Sequence, residues 1–142
     1  MSSVIYKNLP GPVGDCLKPS LATTATLPVS PTTSFVYTTG HIGLDLETGN
    51  IINSPVENEF EAIFDCLDAA LRHAGATLGL RHAFNLVAYL VDSTDEETMM
   101  RVFRQKFPGH TPTWTTVVVK EIVVPKMRAE ISASGVIFHN GD

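Results

Sequence analysis

The sequence predicts an α+β fold, a single domain with one mixed β-sheet and two helices on one face. Three observations predict it. First, 142 residues with 44% hydrophobic content support one core and leave no room for two domains. Second, two stretches carry apolar residues at helical spacing, and the apolar runs between and after them have strand character. Third, runs such as Val117-Val118-Val119 are apolar on both faces of a strand, yet two helices can cover only one face of a sheet. The uncovered face is therefore expected to meet another copy of the chain.

Residues 1–20 contain Pro10, Gly11, Pro12, Gly14 and Pro19 and read as an extended N-terminal arm of a domain spanning 1–142. Residues 21–34 are rich in Thr and Pro, which suits a twisted edge segment because Pro cannot donate within a sheet. Residues 35–39 read as a strand, Gly40 allows a bulge, residues 41–44 continue the strand, and residues 45–50 form a turn. The first helix opens with Ser54 as N-cap, Pro55 at the first helical position and Glu57 completing a capping box. Phe60, Ile63, Phe64, Leu67, Ala70, Leu71 and Ala74 form its apolar stripe, and Gly75 ends it. Residues 82–91 read as a central strand. A second helix runs from Thr94, with Glu97 three residues on, to Pro108-Gly109. It buries Met99 or Met100, Val102, Phe103 and Phe107. Residues 114–123 and 127–138 are the last two strands.

Composition excludes several classes of function. Ten Lys and Arg stand against fifteen Asp and Glu, for a formal net charge of −5. The densest cations, Arg101/Arg104/Lys106 and Lys120/Lys126/Arg128, sit among carboxylates, so no basic stripe is available for nucleic acid. No run approaches the ~20 apolar residues of a membrane span, and no basic-then-apolar leader is visible, so the expected compartment is cytoplasmic. Cys16 and Cys66 are too few for a disulfide framework, and the five His lack metal-ligand spacing, so no metal is expected. Cys66 lies beside the apolar stripe and should be buried, whereas Cys16 should be an exposed free thiol. There is no nucleophile elbow, P-loop or dinucleotide fingerprint.

Several segments, taken in order, resemble the RidA (YjgF) family over residues 33–137. They are Val36-Tyr37-Thr38-Thr39-Gly40-His41-Ile42, then Asp45-x-x-Thr48-Gly49, then His73-Ala74-Gly75-Ala76-Thr77-Leu78. Val87-Ala88-Tyr89-Leu90-Val91-Asp92, Pro112-Thr113-Trp114-Thr115 and Ala129-Glu130-Ile131-Ser132-Ala133 follow. The resemblance implies a chorismate-mutase-like fold and a homotrimer with pockets between subunits. The uncovered sheet face inferred above agrees with that. It also implies chemistry on reactive enamines and imines, hydrolysed to ketoacids and ammonia without a bound cofactor. In that chemistry an Arg grips the substrate carboxylate and a Glu in the last strand manages water and proton.

Matched residue by residue, Glu130 takes the acid/base position and Thr116 that of a small ligand-holding residue. Trp114 replaces the Arg, Met100 an Asn on the second helix, His41 a Gln after Gly40, and Thr26 a Tyr in the first strand. The pocket thus loses a cation and gains apolar surface. Losing a charge-assisted Arg bond removes ~1.5–3 kcal/mol of carboxylate binding. An indole instead favours a planar ring by ~0.5–1.5 kcal/mol beyond burial.

The expectation is therefore Glu130 acid/base catalysis, with His41 as a second proton carrier suited to neutral pH and Trp114, Thr116, Gly40 and Met100 lining the pocket. Arg128 is a candidate partner for Glu130 or for a substrate anion. The substrate is expected to be a larger, flatter, less anionic small molecule. The reaction would be hydrolysis, tautomerisation or cyclisation, as suits specialised-metabolite biosynthesis. The alternatives are an ordinary 2-iminoacid deaminase and a non-catalytic ligand-binding or chaperone-like trimer. RNA cleavage, a label attached to some relatives, conflicts with the acidic charge.

Overall fold

The computed structural model describes residues 3–139. Among these described residues six strands form one sheet: β1 (Ile5–Lys7), β2 (Thr24–Ser30), β3 (Thr33–Thr38), β4 (Ala83–Leu90), β5 (Thr113–Val118) and β6 (Ala129–Phe138). Their order is β1-β2-β3-β6-β4-β5. Every neighbouring pair is antiparallel except β4 and β5, which are parallel. A parallel pair needs a long crossover, and α3 (Glu96–Lys106) supplies it. The other helices are α1 (Pro12–Asp15) and α2 (Val56–Ala74).

One side of the sheet is the core. Along β6, Ala129, Ile131, Ala133, Gly135 and Ile137 are buried, while Glu130, Ser132, Ser134 and Val136 are half-exposed, as a two-residue period requires. Phe60, Ile63, Phe64, Leu67 and Leu71 of α2 and Met99, Val102 and Phe103 of α3 pack on the buried side with Val36, Leu86, Leu90 and Ile131. Each such side chain contributes ~1.5–3 kcal/mol on burial. The opposite face carries no helix and exposes Tyr6, Leu27, Tyr37, Phe84, Tyr89 and Val117. Helix α2 stops where Gly75 adopts a left-handed conformation (φ 115°), its N–H donating to the Arg72 carbonyl. No helix among the described residues is long and apolar enough to cross a membrane.

Five local expectations need correction. The N-terminal segment is not an extended arm. Residues 1–2 lie outside the described residues, but β1 pairs with β2, and Leu9 and Val13 are buried against Cys66. That places β2 inside the sheet rather than at its edge, with Pro28 at a register irregularity. Ser54 and Glu57 form no capping box, because Pro55 is the N-cap and Glu57 pairs with Arg101 at 3.3 Å. Strand β5 ends at Val118, since β4, the strand it pairs with, ends at Leu90. Helix α3 begins two residues after Thr94, behind a 3₁₀ turn (Ser93–Asp95) opened by the Asp92 carboxylate accepting from the Thr94 N–H.

Candidate functional site

Glu130 is the second residue of β6 and shares the open face with Ser132 and Ser134. It stands opposite Tyr89 of β4. Its carboxylate has no hydrogen-bond or ion-pair partner among the described residues. It lines a cleft of about 230 Å³ with Tyr89, Val119, Glu121, Ile122 and Val123. Gly40 lies against the Glu130 side chain. A Cβ there would lie 3.0 Å from both Cγ and Cδ of Glu130 and closer still to Oε2, so the carboxylate occupies the space that any larger residue would fill.

The main chain around Glu130 is tied on both sides. After it, Ile131 and His41 exchange backbone hydrogen bonds of 2.9 and 3.0 Å. Before it, Oε2 of Glu59 accepts from the Arg128 N–H at 2.8 Å and the Ala129 N–H at 3.2 Å. Glu59 is completely buried, and burial pushes its carboxyl above the usual range despite these two bonds.

Trp114 and Thr116 lie on the other face of the sheet. They stand beside Leu86 and Ala88, both fully buried on the helix side. The Trp114 indole meets Phe103 edge-on, with centroids 5.0 Å apart, and Phe64 at 6.2 Å. Its Nε1 and the Thr116 Oγ1 are shielded from solvent and have no hydrogen-bond partner among the described residues. Met100 of α3 is half-buried against the same core. A single chain therefore does not bring Trp114 and Glu130 together.

Two further residues do not stand where the sequence suggested. His41 pairs with Ile131, so its imidazole is on the helix side, away from the Glu130 carboxylate. Nδ1 bonds the Thr39 carbonyl at 2.9 Å, Nε2 has no hydrogen-bond partner among the described residues, and burial holds the ring below its ordinary value of 6.5. Within one chain it does not face the Glu130 carboxylate. Arg128 lies just ahead of β6, and its guanidinium reaches Asp95 at 3.4 Å rather than Glu130.

Sequence reasoning missed Glu59, Tyr89 and Glu121. Glu59 had a legible signal, because it falls four residues before Ile63 on the apolar stripe, where a charge is unexpected. Glu121 had none, since its segment read as continuing strand.

The family model described as "Endoribonuclease L-PSP" matches residues 24–137. The chain belongs to this family, the RidA/YjgF family. A RutC family protein of Pyrococcus abyssi is 27% identical over 89 residues, which are 63% of this chain and 68% of that protein. Among solved structures, the E. coli YjgF gene product superposes with a TM-score of 0.75 at 19% identity, covering 94% of this chain and 98% of that one. E. coli TdcF, solved with bound serine, gives 0.71 at 21% identity, covering 96% and 98%. At these identities the structures establish the fold, and the chemistry of this RidA-family chain has to be argued from its own residues.

Proposed function

We propose that this protein is an enzyme in which Glu130 moves protons on a reactive small molecule, in a pocket completed by a second copy of the chain. The observation that carries the reading is the unpartnered Glu130 carboxylate lying against Gly40 in a cleft on the uncovered sheet face. A carboxylate that answers to no structural partner is available to a ligand. The counterpart residues Trp114, Thr116 and Met100 sit on the opposite side of the same sheet. A neighbour unites the two halves if its β5, an edge strand, abuts the Glu130 face. The family's usual homotrimer is the assembly we propose, and burying Tyr37, Phe84, Tyr89 and Val117 gives it an apolar driving force.

The cleft also supports a less anionic substrate. Two carboxylates line it, no Lys or Arg does, and Arg128 is occupied by Asp95. A small anionic imine would meet repulsion there, whereas a neutral or protonated imine with an apolar body would not. In the proposed pocket the half-exposed Trp114 is an apolar wall. TdcF with its bound serine supports a small molecule as the ligand of this fold. Hydrolysis, tautomerisation and cyclisation all use one group that accepts a proton and returns it, so Glu130 serves each of them.

The test is a rate comparison between freshly generated 2-aminoacrylate and a cyclic imine that lacks a carboxylate. The expected result is turnover of the neutral imine, weak ammonia release from 2-aminoacrylate, and a loss of ~10²–10⁴-fold in Glu130→Gln. Robust deamination of 2-aminoacrylate would return the protein to ordinary 2-iminoacid chemistry. Undiminished activity of Glu130→Gln would remove Glu130 from the mechanism and favour a binding role.

A further inference from the structure

We propose that Glu59 is a positioning residue for Glu130, holding the entry to β6 so that the Glu130 carboxylate stays over Gly40. This rests on the reading that Glu130 works the site.

The geometry is specific. Glu59 reaches from the start of α2 across 69 and 70 residues of sequence to the Arg128 and Ala129 amides, the two main-chain donors immediately ahead of Glu130. Both go to one oxygen, Oε2, while the buried Oε1 has no hydrogen-bond partner among the described residues. The carboxyl is enclosed by a third segment. A Cβ on Gly43 would lie 2.9 Å from Glu59 Cγ, so residue 43 has no space for a side chain. The charged groups around it are Arg128 and Asp95, which pair with each other.

A fully buried carboxyl is costly in a helix stripe otherwise made of Phe60, Ile63 and Leu67. No side chain caps the helix, and the hydrogen bonds of the Glu59 carboxyl go to the β6 entry rather than to the helix's own N–H groups. What the carboxyl does is set where β6 begins. Its two amide bonds and the Val91 N–H to Arg128 carbonyl bond at 3.0 Å fix the chain one and two residues upstream of Glu130. The His41–Ile131 bridge fixes it one residue downstream. Glu130 thus has a rigid backbone beneath a free carboxylate, which is the arrangement acid/base work needs.

Glu59→Gln and Glu59→Leu separate this role from generic packing, because Gln keeps an oxygen for the two amides and Leu does not. The readouts are amide exchange at Arg128 and Ala129, the ¹³Cδ resonance of Glu130, and kcat and KM on the carboxylate-free cyclic imine. In Glu59→Leu we expect exchange at both amides to rise about tenfold or more. The Glu130 resonance should move, and kcat should fall about tenfold with KM nearly unchanged. Glu59→Gln should restore all three.

A folded Glu59→Leu protein with an unmoved Glu130 resonance overturns the proposal, as does a Glu59→Gln protein no better than Glu59→Leu. If Glu59→Leu does not fold, Glu59→Asp, whose shorter arm cannot span both amides, takes its place under the same criteria. Exchange and resonance do not depend on turnover. Full activity in Glu130→Gln would therefore overturn the catalytic reading alone, and an unmoved resonance the Glu59 reading alone.

Discussion

The Glu130 carboxylate fills the space above the Gly40 backbone that a side chain at residue 40 would need, 3.0 Å from Cγ and Cδ to the missing Cβ. Backbone strain does not explain this glycine, because its φ is not among the positive ones. Its role is to leave room. Gly40→Ala should therefore push the carboxylate aside while costing little stability, since the clashing atoms are the far end of a flexible side chain. The expected result is a melting temperature within a few degrees of the parent and at least about a tenfold loss of kcat/KM, measured by calorimetry and the imine assay.

Trp114 is the only tryptophan, and its contacts with Phe64 and Phe103 tie β5 to both main helices. Trp114→Ala should lower stability by about 3–5 kcal/mol through lost burial and the cavity left behind. Trp114→Phe should cost less than half of that. Urea unfolding followed by circular dichroism measures both, with the slope against urea unchanged.

Two buried groups give the stability profile opposing slopes. His41 resists protonation in the folded chain because burial outweighs the Thr39 carbonyl. The unfolded chain takes up that proton below about 6.5, so the His41 contribution is complete above 6.5 and is lost as pH falls through the lowered value. Glu59 behaves in the reverse sense. Burial keeps its proton on in the folded chain, so stability falls as pH rises from about 4.5 through the raised value. His41→Gln should abolish the first slope and Glu59→Gln the second. Urea midpoints taken between pH 4.5 and 8 test both.

The two thiols should differ in reactivity by orders of magnitude. Cys16 is exposed, while Cys66 is fully buried and its thiol is pushed up to about 12, first by burial. Only the thiolate reacts. A disulfide reagent at pH 8 should consume one thiol per native chain quickly and the second only on unfolding. Rapid native reaction of two thiols would contradict the packing of Leu9 and Val13 over Cys66.

Elements built on one strong local period were legible in the sequence. The α2 stripe from Phe60 to Ala74 and the Gly75 stop needed only helical spacing and a left-handed terminus. The alternation that sets Glu130 apart from Ile131 needed only the strand period. What failed depended on neighbours far away in the chain. Strand β1 has three residues, all exposed, and exists because β2 offers it an edge. The end of β5 is set by where β4 stops. The side on which His41 falls is set by its bridge to Ile131, which no spacing around residue 41 discloses. The separation of Trp114 from Glu130 has the same origin, because the face each residue takes depends on strand order and register.

The central claim is that Glu130 of one copy and β5 of the next build one site. A crystal structure of the assembled protein tests it most directly. The expected result is a trimer of the 15.4 kDa chain in which each Glu130 carboxylate faces a neighbour's Trp114 and Thr116 across a shared cavity. An assembly that leaves every Glu130 open to solvent, or covers it with a surface that excludes β5, would contradict it.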